Sequence, residues 1–107
     1  MSLESQRSIC DWAESTFGPV TDLQACAERA CKEMREFQTL VDHFHRAKPR
    51  DIRKEVCDIV VTLFRFAGAA GFDLLNGVDD VMAINRLRKW LPDGKGNGQH
   101  IKEGRGA

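Results

Sequence analysis

At 107 residues the chain has room for one hydrophobic core and not for a core plus an independent second unit. Sixteen Lys plus Arg balance sixteen Asp plus Glu, which excludes the net basic field that draws proteins to nucleic acid or acidic membranes, so charged chemistry must come from local clusters. No apolar run approaches the roughly 20 residues that span a bilayer, and Met1 to Arg7 lacks the pattern of a secretory signal, so a cytoplasmic chain is expected.

Ile9, Trp12, Ala13 and Phe17 recur at three- and four-residue spacings and predict a first helix from Ser2 to Phe17, stopped by Gly18 and Pro19. Trp12 and Phe17 read more readily as core than as a stacking platform for a base, and so does Trp90. Thr21 or Asp22 can cap a second helix running to about Ala47, with Leu23, Ala27, Ala30, Met34, Phe37, Val41 and Phe44 facing the core.

Pro49 breaks that pattern, and Asp51 can cap a third helix through Ile52, Val56, Ile59, Val60 and Leu63 to a stop at Gly71. The short connection predicts that helices two and three are antiparallel neighbours. Asp73 or Asn76 can open a fourth helix, which Val78, Val81, Met82, Ile84, Leu87 and Leu91 carry to Pro92. Beyond it, residues 93–107 are glycine-rich and polar and predict a tail or a loop ordered by a ligand. The expected fold is therefore all-α, a four- to five-helix bundle over residues 1–92 around a central antiparallel pair. With apolar faces left over, a homodimer or homotetramer is expected.

Cys10, Cys26, Cys31 and Cys57 form no close pair and sit in apolar periodic segments, so they read as reduced core residues and not as zinc ligands. The acids carry more. Glu33 and Glu36 are three apart on helix two, Glu55 and Asp58 three apart on helix three, and each pair points from one face with apolar neighbours around it. Several acids buried together repel one another unless a cation neutralises them, and hard oxygen ligands favour Mg²⁺, with Mn²⁺ able to substitute. Ordinary surface pairing with Lys32, Arg35, Arg53 and Lys54 explains the same spacing, and spacing alone does not separate the two.

The order Glu33-x-x-Glu36, eighteen residues, then Glu55-x-x-Asp58 resembles the MazG-like branch of the all-α nucleoside triphosphate pyrophosphohydrolases. Asn85-Arg86-Leu87-Arg88-Lys89-Trp90 is similar to a segment that often follows the metal helices there, and the stretch Asp93 to His100 resembles short phage members of the MazZ type, which act on purine deoxynucleotides. The resemblance implies cleavage of a nucleoside triphosphate to the monophosphate and pyrophosphate, a purine deoxynucleotide such as dGTP being the expected substrate. It implies Glu33, Glu36, Glu55 and Asp58 as Mg²⁺ ligands, with Glu33 or Glu36 as general base. Lys32 stands where the family often has another glutamate, which leaves the number of ions open. Asn85, Arg88 and Lys89, joined by Lys95 if the tail folds over, are expected to hold phosphate oxygens. The rival readings are a non-catalytic helical interaction module and a nucleic-acid-binding domain using Arg86, Arg88, Lys89 and Lys95; zero net charge opposes the second.

Overall fold

The computed structural model describes residues 3–43 and 45–102. Met1, Ser2, Phe44 and residues 103–107 lie outside them, and with them the expected first residue of helix one, an expected core position and the end of the expected tail. The described chain is mainly helical, in the order α1 Gln6–Phe17, α2 Leu23–Asp42, α3 Pro49–Ala70, α4 Leu74–Leu87, followed by strands β1 Trp90–Pro92 and β2 Gly98–His100.

Local chemistry sets the helix ends. Ser5 accepts from the backbone N–H of Ser8 while the Ser8 hydroxyl accepts from that of Ser5, a reciprocal cap that starts α1 later than its apolar spacing suggests. Asp22 caps α2 by accepting from the N–H groups of Gln24 and Ala25. Pro49 opens α3 instead of merely ending the preceding pattern: it occupies a first-turn position, where its missing N–H would have had no helical partner, so Asp51 lies inside the helix and not at its cap. Gly71 closes α3 in the left-handed region at φ 87°.

Two compact units emerge, Met1–Leu74 and Leu75–Ala107, where chain length predicts a single core. In the first, α3 packs against both α1 and α2. Ala13, Ile59 and Ala67 are its buried apolar residues. Gly68 lets α1 come close, since a Cβ at that position would stand 2.6 Å from the Cys10 sulfur. The Gln6 side chain donates to the Phe72 carbonyl and accepts from the Leu74 N–H, both at 2.8 Å, which ties the start of α1 to the end of α3.

Several residues expected in the core are exposed. Trp12, Phe17, Leu23, Met34 and Val41 present large apolar surface, as do Cys31 and Cys57, and all four cysteines are free. Helical periodicity selects the apolar face of a helix, but three helices alone do not supply enough surface to cover every such face.

In the second unit α4 stops at Leu87, short of the expected Pro92, and Trp90 to Pro92 instead pair with part of the expected loop as a β-hairpin, Trp90 with His100, Leu91 with Gln99 and Pro92 with Gly98. Asp93 makes the turn, its Oδ1 accepting from the N–H groups of Lys95 at 2.7 Å and Asn97 at 3.1 Å. Gly94 and Gly96 supply positive φ between them. The composition that reads as an unstructured tail is therefore also turn chemistry.

Candidate metal centre

Glu33 lies midway along α2, and Glu55 and Asp58 lie one turn apart on α3, so the packing of α2 on α3 brings the three together. One carboxylate oxygen from each lies within 4.8 Å of the other two. Glu33 is buried at 6% exposure, and Glu55 and Asp58 are half-buried. Three like charges at this spacing repel, and water is partly excluded from screening them.

Two cations offset part of that charge. Arg29, one turn before Glu33 on α2, places Nη2 2.9 Å from Glu33 Oε1. Lys54, one turn before Asp58 on α3, donates from Nζ to Asp58 Oδ2 at 2.9 Å. That hydrogen bond, and then the charge of Asp58, hold the Lys54 ammonium above its ordinary value, so the lysine stays charged. Glu55 has no ion-pair partner among the described residues, and its Oε2 is buried without a hydrogen bond. An orphaned carboxylate oxygen facing two further carboxylates matches a hard, divalent cation; the group holds no nitrogen or sulfur donor that would favour zinc.

The fourth expected ligand behaves differently. Glu36 is exposed on α2 and stands outside the group. Two residues three apart share a face, yet they differ by most of a turn along the helix, and of the two only Glu33 joins the group whose oxygens lie within 4.8 Å of one another.

A cleft of about 250 Å³ opens beside the acids, with Glu33, Asp58, Arg29, Trp12, Phe17 and Arg65 in its lining. Trp12 and Phe17 meet edge to face with centroids 5.4 Å apart. Arg65 lies over the Phe17 ring at 5.5 Å and donates to the Gly18 carbonyl at 2.8 Å. The aromatic pair thus walls a cleft and does not fill a core. Sequence patterns do not single out Arg29 or Arg65: Arg29 carries only an i,i+4 spacing signal, and Arg65 reaches a residue 47 positions away that no local pattern indicates.

Asn85, Arg88, Lys89 and Lys95 all belong to the second unit. Asn85 is half-buried at the end of α4, and its carbonyl accepts from the Trp90 indole at 2.9 Å. Arg88 and Lys89 line a small hollow with His100 and Ile101. Lys95 is exposed in the hairpin turn. No helix among the described residues is long and apolar enough to cross a membrane. Comparison with known protein families, curated proteins and solved structures finds no match to this chain.

Proposed function

We propose that the protein is a Mg²⁺-dependent nucleoside triphosphate pyrophosphohydrolase of the MazG-like kind, which converts a (d)NTP and water to the (d)NMP and pyrophosphate. The observation that carries this reading is the convergence of Glu33, Glu55 and Asp58, with a buried, unpartnered oxygen on Glu55. In this reading those three acids hold Mg²⁺, or Mn²⁺ in its place, and Glu36, exposed three residues beyond Glu33 on α2, is the fourth ligand. The ion, when bound, offsets charge developing on the phosphates and acidifies a water.

The chain's own residues do the remainder. Glu33 or Glu36 takes a proton from the attacking water, whose oxygen forms a bond to the α phosphorus. The bond from that phosphorus to the bridging oxygen breaks, and pyrophosphate leaves with the electron pair. Trp12 and Phe17 offer aromatic surface to the base beside the acids. Asn85, Arg88, Lys89 and Lys95, all in the second unit, carry donors of the kind that phosphate oxygens accept. The preferred substrate in this reading is a purine deoxynucleotide such as dGTP.

The enzyme acts as a homodimer or homotetramer. An open groove of about 880 Å³, lined by Ile9, Trp12, Val60, Val61 and Phe64, supports this, because no large side chain among the described residues is fully buried and a second copy would cover that face. The test is a panel of common NTPs and dNTPs with Mg²⁺ or Mn²⁺, scored for pyrophosphate and monophosphate. Glu36→Gln and Asp58→Asn are expected to abolish release while the helical circular dichroism persists. Full turnover by both variants would overturn the assignment.

A further inference from the structure

Two cations hold the acid group in the same manner. Arg29 precedes Glu33 by four residues on α2, Lys54 precedes Asp58 by four on α3, and each closes to 2.9 Å on a different carboxylate. In both pairs the cation is the more exposed partner: the Arg29 side chain is 61% exposed against 8% for Glu33, and Lys54 71% against 41% for Asp58. A long side chain rooted in solvent keeps its hydration when its tip swings away, whereas buried Glu33 has no comparable route to water and half-buried Asp58 has less of one than Lys54. The cation is therefore the movable half of each pair. Glu55 alone carries no such partner, and its buried oxygen is left open.

Resting on the metal reading above, we propose that Arg29 and Lys54 are tethered counter-ions of the metal-free centre, which leave Glu33 and Asp58 when a divalent cation enters and then bind the polyphosphate of the substrate. Two positive groups at hydrogen-bond distance from the ligand carboxylates are repelled by a divalent charge among them. Once released they remain at the rim, and Arg29 already lines the cleft that holds Glu33 and Asp58. A planar guanidinium can take two phosphate oxygens at once, and an ammonium acts as a point charge. Metal and polyphosphate accordingly favour each other's binding, because the first frees the groups that the second uses.

Titration calorimetry on the full chain, with Mn²⁺ alone and then with inorganic tripolyphosphate in excess Mg²⁺, tests this without turnover. Arg29→Met and Lys54→Met keep the apolar stem and remove the charge. Each is expected to tighten Mn²⁺ roughly two- to fivefold, the range set by exposed ion pairs, and to weaken tripolyphosphate by at least a similar factor. Arg29→Lys and Lys54→Arg should restore most of the tripolyphosphate affinity. If wild type binds Mn²⁺ and the Met variants bind it equally or more weakly, the pairs are structural and the inference is overturned while the metal reading stands. If wild type binds no Mn²⁺, the metal reading falls, and the inference with it. Circular dichroism of each variant confirms that the helices persist, as exposure of both side chains leads one to expect.

Discussion

Glu55→Gln should stabilise the metal-free protein while disabling it. The substitution keeps the shape of the side chain and removes one charge from three carboxylates whose oxygens lie within 4.8 Å. At that separation each like-charge pair costs about 0.9 kcal/mol at the dielectric of water and about 3.5 kcal/mol at an effective value near 20. Glu55 faces two such neighbours, but Arg29 and Lys54 already offset part of their charge and the site is partly open. The net gain is then about 1–2 kcal/mol, which for a unit of this size raises Tm by roughly 5–10 °C. The new amide also donates where Oε2 now has no partner, so it can bond a neighbouring carboxylate. Thermal melts by circular dichroism in EDTA measure this gain. Repeated with excess Mg²⁺, they should show wild type rising and the variant rising much less, since binding to the native state is what lifts Tm. Pyrophosphate release should fall at least roughly a hundredfold. A lower Tm for the variant in EDTA, or an equal response of both proteins to Mg²⁺, would refute the reasoning.

Three further outcomes are expected. Gly68→Ala puts a Cβ 2.6 Å from the Cys10 sulfur, and the overpacking, less the better helix propensity of alanine, costs about 1 kcal/mol. In a Cys10→Ala background the nearest atom is the Cys10 Cβ at 3.7 Å, so the same change should be neutral or stabilising in a urea double-mutant cycle. Burial, and then Asp11, push the Cys10 thiol above its ordinary value of 9.0, so it should react with thiol reagents more slowly than exposed Cys31 and Cys57. Its folded value is raised, so the folded state holds this proton more tightly; the associated stability is complete below pH 9.0 and is lost as pH rises through the folded value. Cys10→Ala should flatten that alkaline slope in urea melts. Val60→Glu places a charge on the open α1–α3 groove, and light scattering should report a smaller particle than wild type; a wild type that is already monomeric would dismiss the oligomer.

Much of the helical layout was legible in local chemistry. Asp22 has the oxygen that an N-cap requires, Gly71 tolerates the left-handed stop, and Pro49 restricts the chain around it, although whether a proline ends one helix or begins the next is decided by the residues on its C-terminal side. The pairing of Glu33 with Glu36 and of Glu55 with Asp58 was likewise readable as two acidic faces. The hairpin was not legible in this way: Leu91 continues the apolar spacing of the fourth helix, the glycines after Pro92 read as a tail, and the short strands carry little β signal of their own.

Only the tertiary structure decided which of these faces meet and at what level. Helical periodicity fixes direction about one axis, whereas the sliding of α2 along α3 depends on side chains distributed over both helices. That register brings Glu33 to Glu55 and Asp58 and leaves Glu36 in solvent, while the packing of α1 on α3 sets Arg65 over Phe17. It also turns Trp12 from an expected core residue into the wall of a cleft, because the apolar face of α1 exceeds what α3 can cover. The residue types and their spacing were enough to nominate an acidic metal site and to place Arg29 and Lys54 one turn from two of its acids; the packing selected its three members.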